Sequence, residues 1–87
     1  MIEFEKNFEE KYTNSEDFVN DFPVGHEFYW WNHELYHIVS YFEDNGLYVV
    51  IKSWTKYKQR WCYEVMTAYG LYDGLQILDE KRKKTVQ

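Results

Sequence analysis

The amino-acid sequence predicts an α+β fold, in which short N-terminal helices precede an antiparallel β-meander. Pro23, the one proline among the 87 residues, separates a segment with helical spacing of apolar residues from a segment in which they alternate. Asn45-Gly46 is a strong hairpin signal between two runs that are rich in β-branched and aromatic residues. With 4 Trp, 9 Tyr and 6 Phe, the chain has enough large side chains to build the core of one small domain.

The first 22 residues are predicted to form one or two short, acidic helices. Aromatic residues occupy every fourth position at Phe4, Phe8 and Tyr12. This spacing is typical of one helical face. Thr13 and Glu16 have the spacing of a capping box, and Ser15 is an alternative N-cap, so a second helix is expected to begin there. Pro23 is expected to end that helix, because proline lacks the backbone N–H that a helix interior needs.

Residues 24–79 are predicted to form the antiparallel sheet. The strand-like runs are 28–31, 35–42, 47–54 and 60–68. The clearest run places Leu47, Val49 and Ile51 on one face and Tyr48, Val50 and Trp54 on the other. Aromatic residues on both faces leave two arrangements open. One is an open sheet with a helix on one face, and the other is a sheet curled into a small SH3-like barrel.

The end of the chain gives no decisive signal of secondary structure. Gly70, Asp73 and Gly74 indicate a turn-rich stretch. Residues 75–78 fit a short strand and the start of a helix equally well. Residues 80–87 are predicted to be a charged tail, since four consecutive cations occupy 81–84.

Cysteine content and hydropathy predict the cellular compartment. A single cysteine, Cys62, allows no disulfide within the chain, so nothing points to secretion. Its position inside a strand-like run predicts a buried structural thiol. Residues 1–12 are acidic and lack the apolar segment of a signal peptide. The longest aliphatic run, 47–51, is too short to cross a membrane, so we expect a cytoplasmic protein without membrane contact.

His33-Glu34-Leu35-Tyr36-His37 matches the zinc-protease pattern H-E-x-x-H. On a helix, His33 and His37 would share a face and hold one zinc, while Glu34 would activate a bound water. The segment leads directly into the Asn-Gly hairpin, however, and in a strand the two histidines lie roughly 13 Å apart. We therefore expect no enzyme activity, no cofactor and no metal, with a zinc hydrolase as an alternative.

Charge is divided unevenly along the chain. Residues 1–51 hold 11 acidic and two basic residues, a balance of −9, whereas residues 52–87 hold eight basic and four acidic residues, a balance of +4. A strongly negative face attracts proteins whose Lys- and Arg-rich grooves normally hold nucleic acid. The predicted partner-binding residues are Glu9, Glu10, Glu16, Asp17, Asp21, Glu43 and Asp44.

Two acidic-aromatic segments give the chain a general resemblance to a known class of proteins. They are Phe8-Glu9-Glu10-Lys11-Tyr12 and Glu16-Asp17-Phe18-Val19-Asn20-Asp21-Phe22. In size, acidity and aromatic content, the chain resembles the small acidic inhibitors of phages and prophages, of the anti-CRISPR-like and DNA-mimic kinds. The resemblance implies a protein that binds and blocks a basic surface of a nucleic-acid-handling host protein.

The stretch 52–61 supports a different function, the binding of nucleic acid. Four cations alternate there with three aromatic residues and no acid, a pattern in which bases stack on rings and cations hold phosphates. The residues of this alternative are Lys52, Trp54, Lys56, Tyr57, Lys58 and Arg60. Core packing is a competing role for Trp54 and Trp61. A further use of the aromatic residues is a cation-binding cage of Trp30, Trp31, Tyr36, Tyr48 and Trp54.

Overall fold

A computed structural model describes residues 2–85, which form three helices and four strands. In chain order these are α1 (Phe8–Lys11), α2 (Ser15–Asp21), β1 (Glu27–Tyr29), β2 (Leu35–Glu43), β3 (Leu47–Thr55), β4 (Arg60–Thr67) and α3 (Ala68–Thr85). The strands lie in the order β1-β2-β3-β4, and all neighbours are antiparallel. The α+β class with an antiparallel meander is confirmed. Within the described residues β1 and β4 do not pair, so the sheet is open and is not a barrel.

The N-terminal helices differ in detail from the prediction. α1 is a single turn, and Phe4 precedes it in a non-helical segment. α2 is capped by Asn14, whose side-chain oxygen accepts a hydrogen bond from the backbone N–H of Asp17 at 2.9 Å. The predicted caps at Thr13 and Ser15 are therefore wrong. Asn is among the strongest N-caps. Asn14 lies directly before the helix and has the extended backbone that an N-cap needs.

The predicted hairpin of β2 and β3 is confirmed. The strands pair along their length and are joined by the loop Asp44–Gly46. Asn45 and Gly46 have φ of 57° and 139°, in the left-handed region that Asn and Gly tolerate best. A β-bulge just before Ser40 shifts the alternation by one residue, so that Tyr41 returns to the buried face of the sheet.

The end of the chain is a long helix, which corrects the predicted boundaries. α3 is helical from Ala68 to Thr85, so the sheet ends at Thr67 rather than at residue 79. Residues 80–85 continue this helix and do not form a separate tail. Residues 86 and 87 lie outside the described residues.

Two features, a local cap and a long-range packing contact, accompany the helical conformation of the glycines of α3. The hydroxyl of Thr67 accepts a hydrogen bond from the N–H of Gly70 at 3.0 Å, as an N-cap does. A Cβ placed on Gly74 would lie 2.5 Å from the ring of Trp30, so the missing side chain makes room for the indole. The turn-rich interpretation of residues 70–74 is therefore wrong, because packing and capping outweigh glycine's low helix propensity.

The buried hydrophobic residues form one cluster between the sheet and the helices. They are Tyr12, Phe18, Phe22, Phe28, Tyr36, Ile38, Val49, Ile51, Ala68, Leu71, Tyr72 and Leu75. Val49 and Ile51 of β3 are completely buried, as expected for one face of an alternating strand. Every helix contributes or packs against this cluster, so the helices all lie on the same face of the sheet.

The strands and α3 place the connecting loops at two opposite ends of the molecule. β3 has 9 residues and α3 has 18, which correspond to lengths of about 30 Å and 27 Å. The α1–α2 connection, the β2–β3 loop and the start of α3 meet at one end. The β1–β2 loop and the last turns of α3 meet at the opposite end of the molecule. There, Lys81 Nζ lies 4.9 Å from the ring centre of Trp31.

Gly74→Ala is expected to destabilise the fold, although alanine in a helix interior is normally about 1 kcal/mol more stable than glycine. The added Cβ would lie 2.5 Å from Trp30, and overpacking of this kind costs about 1–3 kcal/mol. Urea unfolding followed by circular dichroism measures the change. The same substitution in a Trp30→Ala background is the control, because the ring that the Cβ would meet is then absent. An equal cost of Gly74→Ala in the two backgrounds would contradict the packing of Trp30 on α3.

Candidate interaction surfaces

An apolar groove lies at the end of the molecule where α1, α2, the β2–β3 loop and the start of α3 meet. Its volume is about 460 Å³. The large residues that line it are Phe8, Tyr12, Phe18, Leu47, Tyr48 and Tyr69. A concave apolar site of this size accepts an anchoring side chain of a partner.

Five exposed carboxylates are neighbours in sequence of residues that line the groove. Glu9, Glu16, Asp17 and Asp44 are each next to a residue that lines it, and Glu43 is one position further away. All five side chains are exposed. They come from α1, α2 and the β2–β3 hairpin, and the fold brings these segments to the same end of the molecule. We call these five residues the acidic end.

The two other predicted partner-binding residues have local structural partners. Glu10 accepts a hydrogen bond from the backbone N–H of Asn7 at 3.4 Å. Asp21 accepts one from the hydroxyl of Tyr12 at 2.8 Å and lies 4.0 Å from Lys11 Nζ. Burial, together with this carboxylate, raises the pKa of Tyr12 above its ordinary range, so its hydroxyl stays a donor. Asp21 therefore serves the contact between α1 and α2.

The second surface is the face of the sheet that no other element covers within residues 2–85, which we call the open face. By strand register it consists of Glu27, Tyr29, Leu35, His37, Ser40, Phe42, Tyr48, Val50, Lys52, Trp54, Trp61, Tyr63, Val65 and Thr67. Six of its large apolar side chains are exposed, by between 39% (Trp61) and 59% (Tyr63), whereas Leu35, Tyr48 and Val50 are half-buried. The predicted core role of Trp54 and Trp61 is therefore wrong. A continuous apolar patch of this kind marks an interaction site.

Trp61 is the centre of a cluster of side chains on the open face. The Nζ of Lys52 lies 4.4 Å from the Trp61 ring centre, a cation–π contact. The Trp61 ring meets Trp54 at 5.4 Å and His37 at 5.6 Å, both nearly edge to face. His37 Nδ1 in turn lies 3.6 Å from a carboxylate oxygen of Glu27 on β1. These contacts hold the two indoles in place before any partner arrives.

The six residues of the nucleic-acid alternative divide between the open face and its end. Lys52 and Trp54 lie on the open face in β3. The other four are in or beside the β3–β4 turn: Lys56, Tyr57, Lys58 and Arg60. Tyr57 is 93% exposed. The fold thus places one lysine on the face itself and three cations at its end.

The predicted aromatic cage does not form. Tyr36 is buried on the helix side of the sheet, whereas Tyr48 and Trp54 belong to the open face. Trp30 packs against Gly74 of α3. Because these rings lie on different sides of the sheet, they do not surround one cation.

The residues of the H-E-x-x-H pattern do not share a helix. His33 belongs to the β1–β2 loop, with φ of 62°, and His37 belongs to β2. Glu34 follows His33, and its backbone N–H donates to the side chain of Asn32 at 3.0 Å. In the described part of the chain, no group of three or more His, Cys, Asp and Glu side chains is placed to hold a metal ion. The zinc-hydrolase alternative therefore lacks the helix that would aim both imidazoles at one ion.

Cys62 is half-buried rather than buried, and it lines a polar cleft of about 600 Å³ on the helix side of the sheet. The hydroxyl of Thr55 donates to its Sγ at 3.1 Å. This hydrogen bond lowers the pKa of the thiol, because it stabilises the thiolate. Partial desolvation opposes the shift, and Arg60 and Lys58 reinforce it.

The comparisons add no assignment. Comparison of the chain with known protein families, with curated proteins and with solved structures finds no match. Among residues 2–85, no helix has both the length and the apolar character required to span a bilayer. The two surfaces themselves therefore carry the functional inference.

Sequence reasoning missed most of the open face. Tyr29, Phe42, Tyr63 and Val65 are exposed on it and were not predicted as site residues. The alternation of each strand did separate two faces, which was the available signal. It could not identify the uncovered face, since both faces carry large apolar residues.

Thr55→Val is expected to raise the pKa of Cys62, because the variant keeps the side-chain volume and removes the hydroxyl that stabilises the thiolate. The rate of alkylation by iodoacetamide, measured against pH, reports the thiolate fraction. The midpoint of this profile should lie at higher pH in the variant than in the wild-type chain. An unchanged midpoint would show that the hydroxyl does not control the thiol.

Proposed function

We propose that this chain is a small inhibitor or adaptor that binds and blocks a basic surface of a nucleic-acid-handling protein. It works in the cytoplasm and acts by binding alone, without a catalytic step. One observation carries the proposal. Five exposed carboxylates from three chain segments are gathered at the end of the molecule that holds an apolar groove. This arrangement combines a negative field with a site for an anchoring side chain.

The charge of the acidic end supports a basic partner. The first 51 residues contain only two cations, Lys6 and Lys11, and Lys11 already lies beside Asp21. Little positive charge therefore offsets the exposed carboxylates. A protein that holds nucleic acid presents Lys and Arg side chains spaced for phosphates, and carboxylates can occupy the same positions. The field also speeds encounter between the two proteins.

The groove supports binding stronger than surface charge alone would give. An exposed ion pair contributes only about 0–1 kcal/mol, so carboxylates at the rim do not by themselves make a tight complex. Stable interfaces combine a polar rim with an apolar centre that buries a few anchoring side chains. Tyr12 and Tyr69 in the lining suit the stem and guanidinium of an arginine, which packs well on aromatic rings.

The triple variant Glu16→Gln, Asp17→Asn, Asp44→Asn is expected to slow association with the partner and to leave the fold intact. The three side chains are exposed, and each change removes one charge while keeping the shape. Affinity capture from a bacterial lysate with mass spectrometry identifies the partner. Surface plasmon resonance with the purified partner, at several salt concentrations, then measures the rates. The wild-type association rate should fall steeply with salt, and that of the variant should fall less.

A matched control removes the same charge elsewhere. Glu34→Gln, Glu64→Gln and Glu80→Gln change exposed residues that do not adjoin the groove lining. This control should associate nearly as fast as the wild-type chain. Equal slowing in the two triple variants would refute the assignment to the acidic end. Capture of a partner that has no basic surface would refute the proposed function.

One observation favours a second candidate function, binding of single-stranded nucleic acid. Lys52 lies over Trp61, and Trp54 beside it is also exposed, which resembles a stacking platform with an adjacent cation. Titration of a labelled single-stranded oligonucleotide tests this candidate. Binding in moderate salt that is abolished by reversing Lys56, Lys58 and Arg60 to glutamate would favour it over the first.

A further inference from the structure

The open face is large enough to form a protein–protein interface. Tyr29, Phe42, Trp54, Trp61, Tyr63 and Val65 are each about half exposed. A fully exposed aromatic side chain presents about 150–250 Å², so the five half-exposed aromatic residues together present on the order of 500 Å². Other residues of the open face, such as Leu35 and Val50, add to this area. The total approaches the roughly 800 Å² per partner that a stable interface buries.

The charge on the open face is balanced. Glu27 and Lys52 are its only fully charged residues, and His37 lies beside Glu27. A strongly basic or acidic partner therefore finds no complementary field there. Val50 and Val65 lie opposite each other, near the middle of β3 and of the edge strand β4 along their lengths. Such aliphatic residues pack well when one sheet lies on another. With one carboxylate and one lysine on each face, two copies can meet without net charge between them.

The two ends of the open face carry opposite charge. Glu43 and Asp44 lie at the β2–β3 end, and Lys56, Lys58 and Arg60 lie at the β3–β4 end. Consider two sheets face to face, related by a two-fold axis that runs between them and perpendicular to the strands. Each acidic turn then lies near the basic turn of the other copy. An axis parallel to the strands would instead bring like charges together, at a cost.

We propose that two copies of this chain associate through their open faces into a symmetric dimer in which the two sheets run antiparallel. The dimer covers the exposed indoles of Trp54 and Trp61 and places the helices of both copies on its outer sides. The same patch serves both copies, as a two-fold interface requires. This use of the face excludes the stacking of nucleic-acid bases on the same rings, and it does not depend on the acidic end having a partner.

Val65→Glu is the decisive variant, tested by sedimentation velocity of the full chain over a dilution series. Val65 is 58% exposed, so a single copy should fold normally with glutamate there. In the dimer, the substitution would place two carboxylates close together in an apolar interface. The dissociation constant of the dimer should rise by more than about 100-fold. Val24→Glu is the matched control, since Val24 is 63% exposed and lies off the open face, between α2 and β1. The Val24→Glu variant should still form the dimer.

Charge reversal tests the antiparallel arrangement. Lys56→Glu with Lys58→Glu should weaken the dimer by about tenfold, because surface charge pairs contribute modestly. Glu43→Lys with Asp44→Lys should weaken it to a similar extent. A chain that carries all four changes has its two ends exchanged in sign, so its dimer should regain most of the lost affinity. Failure of this restoration would overturn the antiparallel arrangement.

Three results would overturn the dimer itself. The first is a chain that sediments as a monomer at every concentration. The second is a dimer that Val65→Glu leaves intact. The third is a single-stranded oligonucleotide that binds the wild-type chain and quenches its tryptophan fluorescence, with the loss of both effects in Trp61→Ala. Each measurement uses the purified chain without its partner, so failure here leaves the proposed function to be judged by its own test.

Discussion

The packing of Tyr72 beneath the N-terminal segment is the contact on which the rest of this structure depends. Its side chain is completely buried and meets the rings of Phe4, Phe8 and Tyr12. Its hydroxyl donates to the backbone carbonyl of Lys6 at 2.7 Å, which gives this buried polar group a partner. Tyr72 thus fixes the N-terminal segment to the C-terminal helix α3. This contact holds α1 and α2 on the same side of the sheet.

This one-sided packing creates both candidate surfaces. A chain of 87 residues has one small core, and here all three helices are placed on a single face of the sheet. The opposite face keeps its aromatic side chains exposed, including Trp54 and Trp61. The same packing gathers the α1–α2 connection, the β2–β3 loop and the start of α3 around the groove. The acidic end and the open face are therefore two consequences of one arrangement of helices.

Local sequence patterns predicted the elements whose causes are local. The β2–β3 hairpin follows from Asn45 and Gly46, which adopt the positive φ that the loop requires. The alternation in β3 correctly separated Val49 and Ile51 from the side chains on the other face, because a strand has a period of two. The start of α3 was missed, and residues 75–78 were left open between strand and helix, since Gly70 and Gly74 are poor helix formers. Their helical conformation depends on Thr67 and on Trp30, and the second of these lies 44 residues away.

The sequence by itself determined the α+β class, the order of the strands along the chain, the two faces of β3 and the uneven distribution of charge. Each of these depends on neighbouring residues or on composition. Only the tertiary structure decided which face of the sheet is covered, and with it the exposure of the indoles and the position of the carboxylates around the groove. Both faces carry large apolar side chains, so hydrophobicity alone does not choose between them. The choice is made by contacts between distant segments, such as Phe4 with Tyr72, whose energies a local pattern does not contain.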